Sequence, residues 1–166
     1  MSADSEVVRM RIKGLMLDPS SKSPIVVLHD EAREIFLPIW IGVFEANAIA
    51  LRIEGIDPPR PMTHDLLHDS LEMLGVRVER VTISALRDNT FYAEISLSGP
   101  DKDRVLDARP SDAIALALRA KAPIFVLKSV LESAQAANLT RTASDDEQLK
   151  KWLEEAEPED FGEYEM

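Results

Sequence analysis

Apolar and polar positions along the chain fall into short runs of period two and longer runs of helical period. Residues 7–17, VVRMRIKGLML, place Val8, Met10 and Ile12 on one face and Arg9, Arg11 and Lys13 on the other, as a strand requires. A Pro- and Ser-rich loop covers 18–24, IVVL at 25–28 reads as a second strand, and REIFLPIWIG reads as a third after a turn at 29–32. Short turns between the three predict an antiparallel meander, with Pro38 at an edge or a bulge. VRVERVTISAL and TFYAEISLS both alternate and are joined by Arg87-Asp88-Asn89, which predicts a β-hairpin.

Helical stretches lie between these runs. Gly42 to Ile53 reads as a helix closed by Gly55. A stiff loop, IDPPRPM, follows at 56–62. Thr63 then reads as the cap of a helix that runs to Leu74 and is closed by Gly75. At about 100° per residue, Leu66, Leu67, Ser70, Leu71, Met73 and Leu74 share one arc. His64, Asp65, His68, Asp69 and Glu72 share the other, and the plain reading makes that arc a solvated face.

The chain is organised around residues 104–128, RVLDARPSDAIALALRAKAPIFVLK. It reads as strand, tight turn, alanine-rich helix, then strand. Pro110 and Ser111 suit the first positions of a helix, and Asp112 sits well at the positive end of the helix dipole. Small side chains let a neighbour pack close, and Pro123 stops the helix before IFVL. Residues 37–53 echo the stretch: Ala48-Ile49-Ala50-Leu51 matches Ala113-Ile114-Ala115-Leu116 when Asn47 is laid on Asp112. The echo predicts that two similar helices meet, across a pseudo-twofold interface.

Ser129 and Glu132 have capping-box spacing for a short helix. NLTRTAS reads as a linker. Ser144 and Glu147 form a second capping box, and Leu149, Trp152, Leu153 and Ala156 make one apolar stripe. The tail is therefore expected to form an acidic amphipathic helix that docks through Trp152, on its own body or on a partner subunit. The expected organisation is one domain over 1–136 and a linker with acidic helix over 137–166. The expected fold class is α+β, a mixed and largely antiparallel sheet with alanine-rich helices packed on it.

Composition narrows the function classes. With 166 residues, 45% hydrophobic and 30% charged, the chain can bury a proper core. It has no cysteine, so neither disulfides nor a thiolate metal site are available. No apolar run reaches the length of a membrane span and MSADSEVVRMR does not read as a signal peptide, so a cytoplasmic protein is expected. The net charge is −11, and residues 143–166 hold ten acids against Lys150 and Lys151. The body is thus close to neutral, and the overall field repels nucleic acid.

Two constellations carry chemistry. His64-Asp65-Leu66-Leu67-His68 is one carboxylate variant away from the zinc-hydrolase H-E-x-x-H, although so short a motif recurs by chance and a third ligand has no candidate. Asp65 and Asp112 both follow an Arg-Pro turn at a helix start, with Asp107 close by. Such aspartates could hold Mg2+ or Mn2+, while Arg60 or Arg109 stabilises charge on a phosphodiester under attack. Structural ion pairs at helix ends produce the same pattern. Asp160-Phe161-Gly162 spells the kinase metal triplet without the glycine-rich or catalytic loops that give it meaning. Phe91 and Tyr92 read as core and cross-strand contacts rather than base-stacking platforms.

At LPIWIG (37–42), RPMTHDL (60–66), NTFYAEI (89–95) and DARPSDAIALALR (107–119), the chain resembles the bifunctional nuclease domain family, also known as a domain of unknown function. The resemblance runs from about Val7 to Ala134, and PEDFG at 158–162 is similar to the tails of bacterial members. It implies an α+β domain that self-associates and a nuclease activity on DNA and RNA. The extra C-terminal interaction motif of plant members is missing, and the acidic helix stands in its place. Thr63, His64, Asp65, Arg109, Ser111 and Asp112 are the matching positions that could serve.

Two functions follow as expectations. One is a metal-dependent nuclease with little sequence preference, in which His64, Asp65, Arg109 and Asp112 are catalytic and Asp65 and Asp112 hold Mg2+ or Mn2+. The other is a non-catalytic regulatory or scaffold module that forms a homo-oligomer, most simply a dimer.

Overall fold

The computed structural model describes residues 6–137 and 141–142. The expected acidic helix with its Trp152 stripe lies outside them. The elements are β1 (Val7–Leu17), β2 (Pro24–Asp30), β3 (Ile35–Trp40), α1 (Val43–Ile53), α2 (Thr63–Met73), β4 (Arg77–Arg87), β5 (Thr90–Ser98), β6 (Arg104–Ala108), α3 (Pro110–Ala120), β7 (Ile124–Leu127), α4 (Lys128–Ala136) and β8 (Arg141–Thr142). They build an α+β fold on one mixed sheet of order β6-β5-β4-β7-β1-β2-β3-β8. The β4–β7 pair is parallel and the other pairs are antiparallel.

The β1–β2–β3 meander forms as its alternation predicts. Register shifts between Ile12 and Gly14, and this bulge changes the phase of β1, so that Leu15 and Met16 are both buried. Pro38 faces Val27 of β2, on a stretch of β3 that β8 does not cover, where a missing N–H costs no ladder bond. β8 itself falls in a stretch read from sequence as linker. The β4–β5 hairpin turns on Asp88 and Asn89 with φ of 50° and 59°, the left-handed pair of a type I′ turn.

α1 and α2 both end as expected. Gly55 and Gly75 take φ of 67° and 71°, and the amides of Ile56 and Val76 reach back to the carbonyls of Leu51 and Leu71. Two caps differ from the sequence reading. Met62, not Thr63, occupies the N-cap of α2, and its backbone N–H is met by Asp65 at 2.8 Å. Leu127, not Ser129, precedes α4.

The core lies between the sheet and the alanine-rich helices. Ala46, Ala48, Ile49 and Ala50 of α1 are buried, as are Ala113, Ile114, Ala115, Leu116 and Ala117 of α3. The two echoing helices do meet. α2 packs against α3 in an unexpected sense. Its one buried residue is Asp65, whereas Leu66, Met73 and Leu74 are 61%, 89% and 71% exposed. His64, Asp65 and His68 turn inward beside Leu71, whereas Leu66, Met73 and Leu74 turn out.

Close approach of α1 and α3 depends on small side chains. Ala117→Leu is expected to lower stability by roughly 1–3 kcal/mol through overpacking, read as a fall in melting temperature. An unchanged melting temperature would show that the alanines are not needed for the contact.

Candidate functional site

The site is built at the start of α3. Arg109 takes the N-cap position, Pro110 and Ser111 follow, and Asp112 sits at the third helical position. Arg109 Nε donates to Asp112 Oδ2 at 2.7 Å, and Nη2 donates to Asp112 Oδ1 at 3.1 Å and to Glu45 Oε1 at 2.8 Å. Glu45 holds the third position of α1, so one arginine ties together the starts of both alanine-rich helices. Its Nη1 has no partner among the described residues.

His64 comes to the same carboxylate from α2, with Nε2 at 2.9 Å from Asp112 Oδ1. Burial would raise the pKa of Asp112, but Arg109 and His64 outweigh it and hold the carboxyl below its ordinary range. The hydrogen bond and charge of Asp112, then those of Glu45, hold Arg109 above its own. An ionised carboxylate only accepts hydrogen bonds, so Nε2 carries the hydrogen. Nδ1 is then the basic nitrogen of the neutral ring. This is the orienting logic of a carboxylate behind a general base.

Beside this set lies an open cavity of about 550 Å3. Trp40 and Gly42 from the end of β3, Asn89 and Phe91 from the β4–β5 turn, and Arg109 and Ser111 from α3 line it. Three motif segments far apart in sequence thus converge on one hollow. Phe91 packs against the core and also faces this space, a role its strand position did not reveal.

Asp65 does not join Asp112. It is 7% exposed, and Oδ1 accepts from Arg119 Nε at 2.7 Å and from Arg52 Nη2 at 2.9 Å. Oδ2 accepts from Met62 N–H at 2.8 Å. Arg119 meets Asp65 seven residues beyond Asp112, about 10 Å along the α3 axis at 1.5 Å per residue. The two aspartates are therefore held by separate donors, whose positions on α3 lie about two turns apart. Among the described residues, the grouping with three possible ligand atoms within 4.8 Å of one another is His68, Asp69 and Glu72. His64 is not part of it, so the two histidines of the H-D-x-x-H stretch look to different partners.

Arg60 and Asp107, the other charged candidates, are exposed and take no part in the cluster. The sequence reading missed Glu45, Arg52, Arg119, Trp40 and Asn89. A signal existed for Glu45: if the helix starts are aligned, it matches Asp112. Nothing local marks Arg119, whose role depends on a helix 54 positions away.

The Asp65 cluster makes stability depend on pH. Burial pushes the carboxyl pKa up, but the Met62 N–H, Arg52 and Arg119 together bring it from 3.8 to about 2. Its contribution, about 2 kcal/mol, is complete above the unfolded value and is lost as pH falls from about 4 towards 2. Asp65→Asn is expected to cost roughly 3–5 kcal/mol near neutral pH, because Arg119 stays buried without its partner, and to flatten that acid slope. Urea denaturation across this range checks both, and a variant with wild-type stability would refute the structural role.

Comparison with known proteins gives the family. The model of the bifunctional nuclease domain matches residues 26–138. An uncharacterized protein of Mycobacterium tuberculosis is 38% identical over 163 residues, 92% of this chain and 96% of that protein. Bifunctional nuclease 2 of Arabidopsis thaliana is 30% identical over 109 residues, 64% of this chain and 33% of that protein. Bifunctional nuclease 1 of Oryza sativa subsp. indica is 27% identical over 116 residues, 68% of this chain and 35% of that protein. The chain therefore spans about a third of the plant proteins and nearly all of the mycobacterial one. With its domain matched from β2 to the end of α4, this chain belongs to the bifunctional nuclease domain family.

Proposed function

We propose that the chain is a cytoplasmic nuclease that hydrolyses phosphodiester bonds of DNA or RNA with little sequence preference. The observation that carries this reading is the His64–Asp112–Arg109 set, whose arginine lines the cavity where the motif segments meet. The names of the plant relatives point the same way. His64 acts as base through Nδ1, held in its tautomer by Asp112. A water attacks phosphorus as the imidazole takes its proton, the bond from phosphorus to a sugar oxygen breaks, and that oxygen gains a proton. Arg109 offers Nη1 to the phosphate oxygens and so stabilises the added negative charge.

Mg2+ or Mn2+ belongs to this reading, since divalent cations commonly assist phosphodiester hydrolysis. Each oxygen of Asp65 and Asp112 already accepts from an arginine, a histidine or a backbone amide, so an ion on either would share it with that donor. His68, Asp69 and Glu72 are the residues with donor atoms close enough together to hold one. Asp65 keeps a positioning role, through the placement of α2 against α3.

Highly purified protein is expected to cut DNA and RNA in the presence of Mg2+ or Mn2+. His64→Gln is expected to lower the cleavage rate by about 10²–10⁴-fold with little change in melting temperature. If purified protein cuts neither polymer, the nuclease reading fails.

A separate observation favours a second reading, a homo-oligomeric regulatory or scaffold module. The outward arc of α2 carries Leu66, Leu67, Met73 and Leu74, a larger apolar stripe than a free helix surface usually shows. A second copy covers it in a dimer, because one helix stripe laid antiparallel on itself gives the isologous contact of twofold assemblies. Light scattering is expected to give twice the chain mass for the native protein and the single mass for a Leu66→Glu, Leu74→Glu variant. A native protein that is monomeric at micromolar concentration would refute this reading.

A further inference from the structure

We propose that the cavity between Trp40, Asn89, Phe91 and Ser111 binds a nucleobase of a single-stranded or frayed nucleic acid, with Arg109 meeting the adjoining phosphate at its rim. This deepens the nuclease reading and rests on it.

The cavity is selective by what it lacks. Among the described residues its one charged side chain is Arg109, and that guanidinium is already bonded to Asp112 and Glu45. A free phosphate would meet two carboxylates for one cation, on a chain of net charge −11. Charge alone therefore does not draw an anion into this hollow. A neutral planar ligand meets no such penalty.

The rest of the lining suits such a ligand. The space of about 550 Å3 lies within the usual range of small-molecule pockets and exceeds what one nucleoside needs. Trp40 and Phe91 supply aromatic surface. Trp40 is 46% exposed, yet its ring is tethered by the Nε1 hydrogen bond to Asp18 Oδ2 at 2.9 Å. Such a ring loses little freedom when a base stacks on it.

Three polar side chains in the lining, those of Ser23, Asn89 and Ser111, have no hydrogen-bond partner among the described residues. Asn89 sits in the type I′ turn, and its side-chain amide is not used by the fold. The Ser111 residue is 5% exposed, and its hydroxyl is not bonded to any described residue. No fully occluded side-chain nitrogen or oxygen among the described residues lacks a partner, so this hydroxyl keeps solvent access in a residue that lines the cavity. An amide with two donors and an acceptor, beside a rotating hydroxyl, can meet the edge of any base. Stacking with adaptable polar contacts gives weak preference among bases, as a nuclease of broad specificity needs.

The test uses the full chain with Trp152→Phe, which leaves Trp40 as the single tryptophan reporter. Adenosine, cytidine, AMP and ribose 5-phosphate are titrated, with calorimetry in parallel. Both nucleosides and AMP are expected to quench Trp40 emission saturably, and ribose 5-phosphate to have no effect. In calorimetry Trp40→Ala is expected to weaken AMP binding by roughly tenfold or more, whereas Trp40→Phe keeps a ring and most of the affinity. Asn89→Gly, which tolerates the positive φ, is expected to weaken AMP without lowering the melting temperature. Ribose 5-phosphate binding as tightly as AMP, no binding by either nucleoside, or wild-type affinity in Trp40→Ala would each overturn the proposal. Cleavage of polymer without nucleoside binding would sink this inference and leave the nuclease reading standing. Nucleoside binding without cleavage would do the reverse.

Discussion

A buried carboxylate between two arginines sets the arrangement of α1, α2 and α3 over the sheet. Asp65 of α2 bonds Arg52 of α1 and Arg119 of α3. Arg119 is almost fully enclosed, and its other nitrogens bond the carbonyls of Ala115 and Ala48. Each charged atom in the cluster is thereby satisfied, which is the condition for keeping a charge inside a protein. Breaking one partner leaves an uncompensated charge, so the helices have few other positions open to them.

That constraint explains why α2 packs with His64 and Asp65 inward. A leucine arc would ordinarily take the buried side. Here α3 presents Asp112 at one end and Arg119 at the other, and α2 meets them with His64 and Asp65. Leu66, Leu67, Met73 and Leu74 are left outside, where they form a surface suited to another chain. One choice of helix face thus creates both a hydrogen-bonded histidine and an exposed apolar stripe.

The second ionic centre, around Arg109, works differently. Asp112 and Glu45 occupy the same position in the first turns of two similar helices, where carboxylates favour the dipole. Arg109 bridges them at a more exposed place, so its energetic weight is smaller and its remaining nitrogen can face a ligand. The cavity beside it is walled mainly by neutral groups. In an acidic chain this favours recognition by shape and stacking over attraction by charge.

Much of the architecture follows from local pattern. Alternation gives the meander and the β4–β5 hairpin, Gly55 and Gly75 close two helices, and the alanine-rich repeats pack where small side chains permit close approach. These are contacts whose physics is contained within a few neighbouring residues. The family resemblance also lay in the sequence, because its motifs are contiguous. The roles of the charged residues did not. Asp65 and Asp112 look alike in sequence, each an aspartate in a first turn after Arg-Pro, yet one is buried between two arginines and the other is half-buried, bonded to His64 and to the arginine that lines the cavity. Which arginine each one meets depends on how α1, α2 and α3 cross, and that is settled by burial and charge pairing across dozens of positions. The sequence by itself determined the elements and the family; the tertiary structure alone decided which face of α2 is buried, and with it which donors each carboxylate meets, because that pairing is made between helices rather than along the chain.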